Sequence, residues 1–470
     1  MKSIRRRSLW VSVNVLTALP IGPGRRRLWQ WSVLAIVSLA VAGLFAILLV
    51  LSRAPITSES VPWPEDFFQK GLVAHVALSF AVWFLAVFGA INTAMVPNDT
   101  RFSTASVGFL LDKMALFLAV AGTVSLLIPT FQDQGEPTLN NYIPVIINPI
   151  YYAGLALLAA GILVSVVRVL KNLSMISCTT VDEIPVVMSV GLIYVSAIVA
   201  LVIAGLQMRD IPLSYDYNEN LVWGAGHILQ VMNIGLFLIA ISLLFRQAFG
   251  HPLAPPRFFR WISGLLILIA LTGLSLYSFF TTGSAENTRA FSALKFVLGV
   301  PVSMILIALA VGIWHQKQNF RITDPGGFSL AAAFGVFTTG ALFGLFVDGA
   351  DTRTPAHYHG VIGGINLVFV GLFYTWLLPL LGRAVTHGKL VAWQIGLYAS
   401  GQWFFIVGMF AAGGMGASRK VMGAGIDVDT LSALAATGTR DLGGTLAIIG
   451  GVMFILIVLK ALFRPAGTMS

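Results

Sequence analysis

The chain has 470 residues, of which 57% are hydrophobic and only 10% charged, and its formal net charge is +10. A soluble domain carries roughly 25% charged residues, so this composition excludes a soluble globular enzyme, a disordered chain and a nucleic-acid binder, and points to a protein solvated mainly by lipid. One cysteine, Cys178, excludes an internal disulfide and a cysteine-paired metal site.

The first 27 residues form a basic arm with seven cationic side chains: Lys2, Arg5, Arg6, Arg7, Arg25, Arg26 and Arg27. A hydrocarbon core about 30 Å thick needs roughly 20 apolar residues per helix. Twelve runs meet that need: Leu28–Ser52, Gly71–Val96, Val107–Pro129, Tyr142–Val169, Ile184–Gln207, Leu221–Phe245, Phe259–Gly283, Ala290–His315, Gly327–Gly349, Ala356–Gly382, Leu390–Gly416 and Gly443–Phe463. The first is too long for a signal-peptide core and is kept as a span. No repeat and no low-complexity linker divides the chain. The reading is therefore one all-α integral membrane domain over residues 28–464, a twelve-transmembrane-helix bundle, with a short tail at 465–470.

If the basic arm is cytoplasmic, the other inner segments hold twelve more Lys and Arg and the outer segments eight. This satisfies the positive-inside rule and puts both termini in the cytoplasm. Two cations, Lys113 and Lys295, stay within spans, as does Asp112, and these charges are expected to snorkel or pair with polar neighbours.

Of seven histidines, His251, His315 and His387 fall at inner loops or span ends. The other four, His75, His227, His357 and His359, lie in the outer halves of spans two, six and ten. An ionisable ring at such depth is costly and has a partner. The rings of His357 and His359 are two residues apart, about 200° around a helix axis, so they are poorly placed to share one metal but well placed to bind two irons, one on each side. Neutral imidazole is the usual axial ligand of haem iron. The spacing admits two haems flanking span ten, one of them bis-histidine with His75.

These residues give the chain a resemblance to subunit I of the haem–copper oxidase and nitric oxide reductase superfamily, from about Gly71 onward. Ala74-His75-Val76 resembles the family's low-spin haem ligand in helix two. Trp223-Gly-Ala-Gly-His227 resembles its Trp-x-x-Gly-His in helix six, where the histidine binds the distal copper. Thr288-Arg289-Ala290-Phe291 resembles the Thr-Arg-Ala-Tyr after helix seven. Asp351 followed by His357-Tyr358-His359 resembles the Asp…His-x-His of helix ten, and Gly416-Ala-Ser-Arg419-Lys420 the arginine pair that binds haem propionates. The resemblance implies two haems: a low-spin haem between His75 and His359, and a high-spin haem on His357 whose open face looks toward His227. Arg419 and Lys420 would neutralise propionates.

The sequence departs from the family at the distal metal. The helix-seven His-His pair falls on Tyr277-Ser278, and one imidazole, His227, cannot hold copper tightly alone. Val231 and Leu229 stand where many oxidases have a helix-six Tyr and Glu, and the helix-eight Lys falls near Ile305. Glu219, at the outer mouth of span six, is the only glutamate near that helix's distal site. Tyr277 is the residue expected to offer a phenol to the distal side in place of a metal. Asn98-Asp99 is the candidate for proton uptake.

The outer segments carry about fourteen acidic residues against eight basic ones, about −6 in all, a field that suits a basic cytochrome c or a cupredoxin domain. With no Cys-x-x-Cys-His, that electron-delivery subunit is expected to be a separate protein. The expected function is that of an oxidoreductase subunit of the bacterial inner membrane, taking electrons from an outer-face donor to reduce O2 or NO with an altered or absent distal copper. Two alternatives remain open on the sequence: a di-haem electron-transfer subunit without gas reduction, and a non-redox transporter or haem-handling protein on the same scaffold.

Overall fold

The computed structural model describes residues 23–53, 66–95, 107–172, 182–347, 349, 351–383, 385, 388–419 and 429–464. Cys178, the Asn98-Asp99 pair, Lys420, most of the basic arm and the 465–470 tail lie outside them. Among the described residues, twelve helices are long and apolar enough to cross a membrane. In chain order they are α1 (Pro23–Arg53), α2 (Phe67–Met95), α3 (Val107–Leu127), α4 (Pro149–Lys171), α5 (Ile184–Gln207), α6 (Tyr215–Phe249), α7 (Pro256–Ser275), α8 (Ala285–His315), α9 (Pro325–Phe343), α10 (Arg353–Leu380), α11 (Lys389–Gly414) and α12 (Leu431–Leu462).

Between α3 and α4 lies a feature the hydropathy pattern does not disclose, an antiparallel hairpin of β1 (Glu136–Thr138) and β2 (Val145–Ile147). The fourth apolar run was expected to start at Tyr142. It starts instead at Pro149, because Asn148 caps the helix by accepting a hydrogen bond from Ile150 N at 2.9 Å and proline suits the first helical position. Tyr142 therefore belongs to the hairpin tip. Other helices end short of their apolar runs, α7 at Ser275 and α9 at Phe343, and some extend beyond them. The helix α6 runs 35 residues, capped by Ser214, and α12 begins twelve residues before the expected Gly443, capped by Thr430.

Sequential helices pack as antiparallel neighbours, α3 with α4, α9 with α10 and α11 with α12. Small residues let their backbones meet, as membrane packing requires. At the α3–α4 seam, a Cβ on Gly161 would lie 2.6 Å from Ala115 O. The most enclosed helix is α6, followed by α10, so the helices bearing His227 and the His357/His359 pair form the centre of the bundle. Trp29 Nε1 donates to Leu462 O at 2.8 Å, which brings the start of α1 to the end of α12. The hairpin lies at the opposite end, where every even-numbered helix begins.

The charges within the spans have distinct partners. Asp112 on α3 lies 3.7 Å from Arg27 and 3.5 Å from Arg168; Asp112 and Arg168 are buried and Arg27 is partly so. Lys113, its neighbour, stands over the Phe109 ring at 4.4 Å. Removing the carboxylate strands buried Arg168 and partly buried Arg27, which costs more than the pairing contributes. Asp112→Ala is expected to destabilise the bundle by about 2 kcal/mol, read as a lowered thermal midpoint in detergent. An unchanged midpoint would show that water reaches the cluster.

Candidate functional site

His75 sits eight residues into α2, and a π-helical turn, Ala77–Val82, begins two residues later. Such turns re-aim a helix face and cluster at functional sites. The His75 Nδ1 is 2.9 Å from Ala42 O on α1. A carbonyl only accepts, so Nδ1 carries the proton and Nε2 keeps its lone pair. The same device recurs on α10, where His357 Nδ1 donates to Gly340 O on α9 at 2.8 Å. Anchoring one ring nitrogen to a carbonyl while freeing the other is the outer-shell arrangement of metal-binding histidines.

His359, two residues on, packs edge-on against Phe405 at 5.2 Å and has no hydrogen-bond partner among the described residues. His75 and His359 form neither a hydrogen bond nor a ring contact with each other. Both are half-buried, and Tyr358 between the two α10 histidines is 40% exposed. The two anchored imidazoles with free Nε2 atoms, His75 and His357, fit haem ligation.

His227 differs. Its Nδ1 donates to Trp223 O at 2.8 Å, and its Nε2 accepts from the Tyr142 hydroxyl at 3.0 Å. Both nitrogens are thus engaged, and in this arrangement the ring offers none to a metal. Tyr142 reaches it from the hairpin tip because Gly226 has no side chain: a Cβ there would lie 2.7 Å from Tyr142 Cβ. Burial and the nearby Glu219 carboxylate hold the Tyr142 phenol well above the ordinary range, so it stays a donor.

Tyr277 lies on a one-turn 3-10 segment after α7. Its hydroxyl is buried over Gly224 and has no hydrogen-bond partner among the described residues. Its ring packs on Phe291 at 5.3 Å, which in turn meets His227 at 5.8 Å. Tyr277 thus reaches the His227 pocket through Phe291, and the phenol bonded to the imidazole is Tyr142. Ser278 follows on the same turn. Lys295, one helical turn beyond Phe291 on α8, stands over the Phe296 ring at 5.1 Å. Among the described residues no three His, Cys, Asp or Glu side chains converge on one point.

Arg419, expected at haem propionates, donates to Asn141 Oδ1 at 2.8 Å and so reaches the hairpin tip. Its segment is pinned to the start of α10: Asp351 bridges to Ser418, and Thr352 N donates to Ala417 O at 3.0 Å. Asp351 also pairs with Arg353 at 2.7 Å. Burial alone would raise the Asp351 carboxyl, but hydrogen bonds and charge from Arg353 outweigh it and hold the group below the usual range.

Sequence reasoning passed over Tyr142, counting it as the start of a span. The Asn148-Pro149 helix-start signal would have released it to a loop. Gly340, whose carbonyl orients His357, carries no side-chain signal at all.

The family model described as cytochrome C and quinol oxidase polypeptide I matches residues 26–453. An uncharacterized protein of Rickettsia prowazekii (strain Madrid E) is 24% identical over 497 residues, covering 93% of this chain and 96% of that protein. Another uncharacterized protein, from Aquifex aeolicus (strain VF5), is 24% identical over 358 residues, 74% of this chain and 83% of its own length. In fold, the chain is similar to a heme-copper terminal oxidase solved as a dimer by cryo-EM. The TM-score is 0.72 with 15% sequence identity, over 96% of this chain and 86% of that one.

Proposed function

The chain belongs to the family of cytochrome c and quinol oxidase polypeptide I, and from that premise we propose that it is a membrane oxidoreductase subunit that binds two haems beside α10 and reduces O2 or NO. His75 and His359 would hold the low-spin haem, and His357 the high-spin one. Haems bound there would supply one-electron transfer and an open iron for a diatomic gas. Ala42 and Gly340 fix the orientation and tautomer of His75 and His357. Arg419, at the hairpin end with donors to spare beyond Asn141, would offset propionate charge, as would Lys420. Electrons would come from a separate basic or cupredoxin donor attracted to the acidic hairpin side, with the termini in the cytoplasm of a bacterial inner membrane.

The observation that carries this reading is the pair of anchored histidines, each bonded through Nδ1 to a carbonyl of a neighbouring helix with Nε2 left free. A second reading keeps both haems and drops the gas chemistry. The engagement of both His227 nitrogens favours it, since no free imidazole then supports a distal metal. The optical spectrum of purified, dithionite-reduced protein decides. Low-spin bands, with a second population shifted by carbon monoxide, are expected for gas reduction. Low-spin bands without a carbon monoxide response would leave electron transfer alone, and no haem bands would end both readings.

A further inference from the structure

The helix α6 presents Glu219 and Gly226 seven residues apart, within about 20° of each other around the axis and roughly 10 Å along it. The hairpin tip lies along that face. Asn140 Nδ2 donates to Glu219 Oε2 at 3.2 Å and to Tyr215 O at 3.0 Å. Asn141 N donates to Glu219 Oε2 at 2.9 Å, and its side-chain amide donates to Oε1. Arg419 grips the other end of the Asn141 amide. One carboxylate thus takes three donors from two consecutive tip residues. The next residue, Tyr142, drops into the cradle at Gly226, edge-on to Trp223 at 5.5 Å, with its hydroxyl on His227. At its base, buried Lys70 of α2 donates to Gln132 O at 2.8 Å and to Asp133 O at 3.3 Å.

We propose that the β1–β2 hairpin is a built-in insert that places the Tyr142 phenol on His227 Nε2, with Glu219 as the latch that positions it. Tyr142 acts through His227, and Glu219 through Tyr142, so both are positioning residues. The distal side of the pocket then holds a hydrogen-bonded phenol–imidazole pair supplied from outside the bundle. The placement of the hairpin is independent of haem content. The meaning of the pair for gas chemistry rests on the reading above.

The test uses the full chain in detergent and two readouts other than turnover. Histidine 15N resonances are recorded in the reduced, carbon monoxide-bound state, with His227→Gln supplying the assignment. Amide hydrogen exchange of residues 132–148 is followed by mass spectrometry. Tyr142→Phe keeps the ring but removes the donor. It should move the His227 Nε2 resonance toward that of a free imine and leave hairpin exchange slow, whereas a purely packing role predicts no shift. Glu219→Gln should move the same resonance and speed exchange of the tip amides roughly tenfold, the scale expected from weakening charge-assisted bonds. An unmoved resonance in Tyr142→Phe, or unchanged exchange in Glu219→Gln, overturns the proposal. A protein purified without haem would defeat the reading in the previous subsection and leave both readouts interpretable.

Discussion

His75→Ala should erase the low-spin haem bands and leave the carbon monoxide-binding haem in place. His75 and His357 stand on different helices and are anchored by different carbonyls, Ala42 O for one and Gly340 O for the other, so neither orients the other. In the proposed arrangement, removing the α2 imidazole would leave His359 alone to hold the low-spin haem and would not touch His357. The expected spectrum loses the six-coordinate bands at unchanged carbon monoxide response. His357→Ala should do the reverse. Loss of both signals in either variant would mean that one site depends on the other for folding, and retention of both would mean that the ligands are elsewhere.

Gly360→Ala should be the most damaging single methyl in the α9–α10 pair. The two helices cross at Gly340 and Gly360 with their backbones in contact: a Cβ on Gly340 would lie 2.6 Å from Gly360 C, and the reciprocal Cβ meets Gly340 Cα. There is no flexible side-chain end to give way, so the helices must separate. Overpacking of this kind costs about 3 kcal/mol. The separation also draws Gly340 O away from His357 Nδ1, because the carbonyl that orients the ligand belongs to the crossing residue. The variant is expected to unfold at a lower temperature and to lose the carbon monoxide-binding haem before the low-spin one. Gly335→Ala, on α9 with open space around it, is the control and should lose neither. Equal behaviour of the two variants would refute the crossing as the source of the effect.

The membrane spans were legible because lipid thickness imposes length and polarity together, and each of the twelve apolar runs corresponds to a helix. The ends were less so, since helices such as α6 and α12 continue into polar ends held by side-chain caps at Ser214 and Thr430. The depth of His75, His227, His357 and His359 followed from counting along even-numbered spans. Three things had no local signature. The pairing of Asp112 with Arg27 and Arg168 joins α3 to residues distant in sequence. The service of Gly340 O to His357 is a backbone property. The capping of His227 by Tyr142 depends on a three-residue-strand hairpin too short to show alternation, and on one glycine of α6, Gly226, whose value lies in what it leaves out. Tyr277 was picked out by alignment of motifs and touches the pocket through Phe291, but the phenol that reaches the imidazole comes from the other side of the helix.

The central claim is that α10 holds a separate porphyrin on each flank, through His357 and His359. A cryo-EM map of the purified protein tests it directly. The account predicts two planar densities on opposite sides of α10, one joined to His357 Nε2 and open on its far face, the other bridging His359 and His75. A map in which either histidine meets only lipid or protein, or in which both touch a single density, would contradict it.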